Sequence, residues 1–107
     1  MLTEQVIQDT VRRVVAAARA PVKVIVFGSY ARGNPSETSD LDLMVIEREL
    51  PDAGEEMVRL YDAVAGLDAG VDILVYSEDE FEKRRDWCST AVYWAAREGR
   101  VVYEHQE

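Results

Sequence analysis

The chain has 107 residues, of which 48% are hydrophobic, with a formal net charge of −9. This size favours one domain with a single hydrophobic core, and the hydrophobic content excludes wholesale disorder. A strongly acidic protein is repelled by phosphate, which disfavours direct binding of nucleic acid. No apolar run approaches the ~20 residues that cross a bilayer, and residues 1–13 lack the apolar centre of a signal peptide. With a single cysteine, these features favour a cytoplasmic protein without membrane attachment.

Hydrophobic periodicity predicts the secondary structure in chain order. Residues 3–19 have the pattern of an amphipathic helix, which Pro21 ends. One helical turn is predicted to follow Gly28, within a polar segment that reaches residue 39. The other predicted elements are strands 22–27, 41–46, 71–76 and 100–103 and helices 53–67, 78–85 and 88–98, with Ser77 as the N-cap of the second of these helices. This order predicts an α+β fold in which helices flank a small mixed β-sheet.

Gly28-Ser29 follows the first predicted strand directly. Glycine lets the backbone approach a ligand closely, and a serine that caps a helix leaves N–H groups pointing outward toward a phosphate. An ordinary turn with a helix cap explains the same pair, and such turns are common. Taken alone, the pair favours the ordinary turn.

Three aspartates open two of the predicted strands. Asp40 and Asp42 lie on one strand face because successive side chains alternate, and their Cα atoms should be about 6.5 Å apart. Carboxylates at that spacing can hold one cation or serve two cations about 4 Å apart. Asp72 interrupts an apolar strand, and it lies beside Asp42 if the two strands pair. Each acid can alternatively face solvent at a strand edge.

The combination of these features is more specific than its parts. Gly-Ser, ten intervening residues and Asp-x-Asp arise by chance in such a chain on the order of once in a thousand times. Residues 28–33 (GSYARG) and 39–43 (SDLDL) resemble the signature of the polymerase β-like nucleotidyltransferase superfamily. The third strand, 71–75, and the closing segment, 95–104, resemble its minimal nucleotidyltransferase (MNT) branch, so residues 1–107 are predicted to form one such domain.

The resemblance implies the site residues and cofactors. Asp40, Asp42 and Asp72 would hold two Mg²⁺ ions, with Asp72 accepting a proton from the attacking hydroxyl. Gly28 and Ser29 would hold the triphosphate of ATP. Arg32 would reach a phosphate oxygen, or would instead steady the loop acids from the surface.

The resemblance also implies a biological role, since many members of this branch are antitoxins encoded beside HEPN-domain RNase toxins. The leading hypothesis is transfer of AMP from ATP to a tyrosine hydroxyl of such a toxin, as in a type VII-like toxin–antitoxin pair. One alternative is an antitoxin that inhibits by docking without catalysis. Another is a nucleotidyltransferase that modifies a small hydroxyl compound, which would need a homo- or hetero-oligomer to build the acceptor pocket.

Residues outside the candidate site are predicted to have structural roles. Trp87 and Trp94 share a helical stripe that is typical of core, with a docking surface as the alternative. Cys88 is predicted to be a small core residue and His105 to be solvated. Five acids between residues 47 and 56 are predicted to flank a surface loop: Glu47, Glu49, Asp52, Glu55 and Glu56.

Overall fold

Five helices and four strands make up the regular structure of the described part of the chain. The computed structural model describes residues 2–36, 38–67 and 70–105. Residue 37 of the predicted polar segment and residues 68 and 69, in the break expected after the third helix, lie outside these ranges. The elements are α1 (Glu4–Ala17), β1 (Pro21–Phe27), α2 (Ser29–Arg32), β2 (Leu41–Glu47), α3 (Ala53–Val64), β3 (Val71–Ser77), α4 (Glu78–Arg84), α5 (Ala91–Glu98) and β4 (Arg100–Glu104).

The strands form one mixed sheet in the order β3-β2-β1-β4. β1 is antiparallel to both β2 and β4, whereas β2 and β3 are parallel and therefore begin at the same end of the sheet. The predicted α+β class with a small mixed sheet flanked by helices is confirmed. None of the helices in the described residues is long and apolar enough to cross a membrane.

Both faces of the sheet are covered by helices. Along β2, Leu41, Leu43 and Val45 pack into a cluster with residues of α1 and α3. Met44 and Ile46, which alternate with them, pack on the opposite face with residues of α4 and α5. Because the side-chain period of a strand is two residues, Asp42 shares the face of Met44. The α4/α5 face of the sheet therefore carries the acidic positions.

Side-chain caps set where the helices begin. The Ser77 hydroxyl accepts the N–H of Glu80 at 3.2 Å, which confirms the predicted N-cap of α4. The Thr90 hydroxyl accepts the N–H of Tyr93 at 3.3 Å and donates to the Trp87 carbonyl at 2.8 Å. This cap makes α5 begin at Ala91, so the prediction of a helix from residue 88 was wrong at its start.

The predicted core positions before and in α5 were also wrong. Cys88 is exposed in the turn that precedes the helix. Trp87 lies outside the helix and is 56% exposed, and Trp94 is 49% exposed. The Trp94 indole N–H donates to the Cys88 carbonyl at 3.1 Å, which holds the ring across the turn. The helical stripe therefore does not extend into the core, while His105 is exposed as predicted.

Helix α3 is shorter at its C-terminal end than predicted. It ends at Val64 rather than at residue 67, and Gly66 follows with a φ of 89°. Glycine adopts this left-handed conformation without the steric cost that other residues pay, which explains the early stop.

Glu47 and Glu56 are buried, contrary to the prediction that they flank a surface loop. Their exposed fractions are 0% and 2%. Glu47 accepts the N–H of Ala20 at 3.1 Å, and Glu56 accepts the N–H of Arg19 at 2.9 Å. Asp52 is the N-cap of α3, and its side chain accepts the N–H of Glu55 at 3.0 Å. The two carboxyl groups therefore join the α1–β1 turn, the end of β2 and the start of α3.

Candidate active site

The parallel pairing of β2 and β3 brings two of the three predicted acids together. In the register, Leu41 lies beside Val71 and Asp42 lies beside Asp72. Paired positions of parallel strands point to the same face, so the two carboxylates are neighbours, as the sequence predicted. Asp40 lies two residues before Asp42, at the same end of the sheet. Asp42 is half-buried, whereas Asp40 and Asp72 are exposed and reachable from solvent.

Gly28 closes the site from the end of β1. The register places Phe27 beside Asp42, so Gly28 follows directly at the acidic end of the sheet. Its φ of 74° and ψ of −151° lie in a region that only glycine populates readily. A Cβ atom built at Gly28 would overlap Asp42 Oδ2 and lie 3.2 Å from its Cγ. Glycine is therefore required here both by the backbone and by the carboxylate.

The structure corrects the predicted role of Ser29 as a helix cap. Gly28 is the N-cap of α2 and makes no side-chain cap bond, while Ser29 is the first helical residue. The Gly28 carbonyl accepts the N–H groups of Ala31 and Arg32, both at 3.1 Å. The first N–H groups of a helix have no partner within it, so those of Ser29 and Tyr30 remain at the mouth of the site.

Charge is concentrated around Asp42. Burial raises the pKa of Asp42, and the neighbouring charges of Asp72 and Asp40 raise it further, against an opposing effect of Arg32. These influences show that Asp40, Asp72 and Arg32 all lie within electrostatic reach of Asp42. No ion pair among the residues that the structure describes involves Arg32.

The donor set fits Mg²⁺ bound together with a phosphate ligand. Within residues 2–36, 38–67 and 70–105, no group of three or more Asp, Glu, His and Cys side chains is already arranged as a metal site. Mg²⁺ rarely uses such a closed protein cage, since it is commonly held by one or two carboxylates, water and substrate phosphates. Mutually repelling carboxylates beside N–H groups and Arg32 provide both kinds of ligand contact.

A cavity of about 470 Å³ lies elsewhere, in a groove between α1 and β4. Its lining includes Ile7, Val11 and Tyr103 and none of the three aspartates. Since α1 covers the sheet face opposite the acids, this groove is separate from the candidate active site.

The family model described as "Polymerase beta, Nucleotidyltransferase" matches residues 9–107. The chain belongs to this nucleotidyltransferase family. It is 30% identical over 108 residues to the candidate protein adenylyltransferase MJ0604 of Methanocaldococcus jannaschii, an alignment that covers 96% of this chain and 100% of the relative. The predicted resemblance to the minimal branch of the family is confirmed.

Two solved structures share the fold of this nucleotidyltransferase. A mutant of the toxin–antitoxin MntA–HpeT has a TM-score of 0.69 at 16% identity, covering 98% of this chain and 76% of the other. A toxin–antitoxin with AMP-PNP has a TM-score of 0.67 at 19% identity, with the same coverage of both chains. At these identities the similarity establishes the polymerase β-like fold.

Sequence reasoning missed one residue at the site, Gly70. Its carbonyl accepts the N–H of Leu41 at 2.9 Å, immediately before the paired parts of β2 and β3. A Cβ atom at Gly70 would overlap Asp40 Oδ1. Only the β2–β3 register reveals this proximity, although a glycine directly before an acidic strand was a signal that the sequence offered.

Proposed function

We propose that this nucleotidyltransferase transfers AMP from ATP to a hydroxyl group of a protein. The observation that carries the proposal is the clustering of Asp40, Asp42 and Asp72 at one end of the sheet, where Asp42 and Asp72 are paired in register. The description of a full-length relative as a candidate protein adenylyltransferase supports AMP as the transferred group and a protein as the acceptor.

ATP binds with its triphosphate between the carboxylates and the start of α2. The N–H groups of Ser29 and Tyr30, the Ser29 hydroxyl and Arg32 bind phosphate oxygens, since a guanidinium can bind phosphate through two hydrogen bonds. The close contact of Gly28 with Asp42 keeps the backbone near the metal ligands. The presence of AMP-PNP in a structure of the same fold is consistent with this choice of nucleotide.

The three aspartates would hold Mg²⁺ and organise the transfer. Two Mg²⁺ ions, when bound, would activate the attacking hydroxyl and neutralise charge on the departing pyrophosphate. The hydroxyl oxygen attacks the α-phosphorus, the bond to the bridging oxygen of the β-phosphate breaks, and pyrophosphate leaves. Asp72 accepts the hydroxyl proton, because it is exposed to solvent and lies beside Asp42. Asp40 and Asp42 would hold the ions in place.

The acceptor that we propose is a tyrosine of a HEPN-domain RNase toxin, with this protein as its antitoxin in the cytoplasm, where ATP is abundant. Modification of that tyrosine would silence the toxin. The support is that proteins with this fold occur in solved toxin–antitoxin structures. A tyrosine hydroxyl is a suitable nucleophile because its pKa of about 10 is readily lowered beside a metal ion.

A second candidate is inhibition by docking without catalysis. The exposure of Trp87 and Trp94 favours it, because aromatic side chains are frequent anchors of protein interfaces. The two functions differ in what the aspartates contribute. An antitoxin that only docks still neutralises its partner after Asp42→Asn, whereas one that acts by AMP transfer does not.

The test is incubation of the protein with the product of the adjacent gene, Mg²⁺ and ATP, followed by intact-mass measurement of the partner. The expected result is a mass increase of one or more AMP units on the partner, absent with Asp42→Asn. Tandem mass spectrometry then identifies the modified side chain. A stable complex without any added AMP would reject the enzymatic proposal in favour of docking.

A further inference from the structure

Gly70 occupies a special position beside Asp40. The first paired residues of β2 and β3 are Leu41 and Val71, and the Leu41 N–H donates to the Gly70 carbonyl at 2.9 Å. Continuing this register backward by one residue places Gly70 beside Asp40. Two positions further along, Asp42 and Asp72 are paired in the same manner.

The carboxylate of Asp40 fills the space that a side chain at residue 70 would occupy. A Cβ atom at Gly70 would overlap Asp40 Oδ1 and lie 3.0 Å from its Cγ. Gly28 has the same relation to Asp42 at the end of β1. Two of the three carboxylates therefore rest against the bare Cα atom of a glycine on a neighbouring segment.

The backbone does not explain the glycine at residue 70. The glycines with positive φ among the described residues are Gly28, Gly33 and Gly66. Alanine is therefore compatible with the Gly70 backbone, and the obstacle to it is the terminal carboxylate of an exposed side chain that can rotate toward solvent. A substitution here should move Asp40 while leaving the fold intact.

We propose that Gly70 is a positioning residue that holds the Asp40 carboxylate toward Asp42 by leaving room for it. This inference rests on the proposed function, in which both carboxylates bind the metal ions. A side chain at residue 70 would fill the space that the Asp40 carboxylate occupies and would turn this carboxylate away from the ions. Displacements of about 1 Å at a catalytic group can reduce rates on the order of 100-fold.

The test compares Gly70→Ala with the wild type and with Gly54→Ala as the matched control. Gly54 lies exposed in α3, and a Cβ atom there would have an ordinary contact of 3.6 Å with Asp52 Oδ1. Binding of Mn²⁺ as a probe for Mg²⁺ is measured by electron paramagnetic resonance in the presence of AMP-PNP, and folding is checked by thermal unfolding. We expect Gly70→Ala to melt within a few degrees of the wild type and to bind Mn²⁺ roughly tenfold or more weakly, as supporting residues of metal sites typically do.

A second comparison tests whether Gly70 acts through Asp40. Adding Gly70→Ala to Asp40→Asn should cause no further loss of Mn²⁺ affinity, whereas independent effects would multiply. Wild-type affinity in Gly70→Ala overturns the inference. So does a loss on adding Gly70→Ala to Asp40→Asn that equals the loss it causes in the wild type. If Mn²⁺ binds but no AMP is transferred to the partner, the proposed function fails while the binding comparison still decides the role of Gly70.

Discussion

The buried pair Glu47 and Glu56 predicts an unusual dependence of stability on pH. The pKa of Glu47 is raised from 4.5 to about 7, mainly by burial and also by its interaction with Glu56. The N–H of Ala20 and the charge of Arg59 lower this pKa, but by less. Burial also opposes ionisation of Glu56, but its contacts with Glu47, the Arg19 N–H and Arg59 lower its pKa overall. The pair therefore shares one proton, carried by Glu47.

The sign of the effect follows from proton binding. Between pH 4.5 and about 7 the folded protein keeps a proton on Glu47 that the unfolded chain has released. The stabilisation is complete below the lower value and is lost as the pH rises through about 7, at a cost of about 3 kcal/mol. Glu56 acts in the opposite direction, since its lowered pKa removes stability only as the pH falls below 4.5.

Glu47→Gln tests this reasoning because the amide imitates the protonated carboxyl group. Its oxygen can accept the N–H of Ala20 and its NH₂ can donate to Glu56, without any proton to lose. We expect the free energy of unfolding of the variant, relative to wild type, to increase by about 2.5 kcal/mol between about pH 5 and about pH 8. Urea unfolding followed by tryptophan fluorescence across this range measures the difference.

The control is Glu49→Gln, which neutralises an exposed carboxylate two residues away. Its unfolding free energy relative to wild type should stay constant over the same pH range within about 0.5 kcal/mol. If Glu47→Gln and the wild type lose stability in parallel as the pH rises, Glu47 does not keep the extra proton in the folded protein.

Three further substitutions test the site and the exposed aromatic surface. Asp40→Asn should raise the melting temperature of the metal-free protein by removing charge repulsion, and should abolish the stabilisation by Mg²⁺-ATP, which is about 2.7 kcal/mol in wild type at 100 times Kd. Gly28→Ala should cost about 1–3 kcal/mol in urea unfolding because of its backbone conformation, and should also stop AMP transfer. Trp94→Ala should leave the fold intact, at a cost of about 1 kcal/mol, and weaken the complex with the partner by about 2 kcal/mol in calorimetric titration.

Each of these expectations has a control and a contradicting result. Asp79→Asn removes an exposed acid of α4 and should keep the shift with Mg²⁺-ATP, while the same shift in Asp40→Asn would remove Asp40 from the site. Unchanged stability of Gly28→Ala would show that its backbone is not strained. Leu60→Ala empties a buried position and should cost about 2–5 kcal/mol, so an equal loss in Trp94→Ala would assign Trp94 to the core.

The sequence predicted the fold and much of the site because both depend on local patterns. Alternating and helical periodicities identify the strands and helices, and the Gly-Ser and Asp-x-Asp spacing identifies the acidic end of the sheet. The proximity of Asp72 to Asp42 required only that two predicted strands pair in parallel, which they do.

The remaining features depend on contacts that the sequence does not contain. Glu47 and Glu56 look like surface acids until the end of β2 and the start of α3 meet, where each accepts a backbone N–H and burial raises the pKa of Glu47. Trp94 fits a core stripe by its spacing, but α5 buries Val92 and Ala95 instead, which leaves the Trp94 ring outside. Gly70 gains its role only through the register that places it beside Asp40.

The most direct test of the central claim is a crystal structure of the protein with Mg²⁺ and AMP-PNP. We expect metal ions ligated by Asp40, Asp42 and Asp72, with the triphosphate bound by the start of α2 and Arg32. A nucleotide bound elsewhere, such as in the groove between α1 and β4, or one held at this end of the sheet without metal contact to the aspartates, would contradict it.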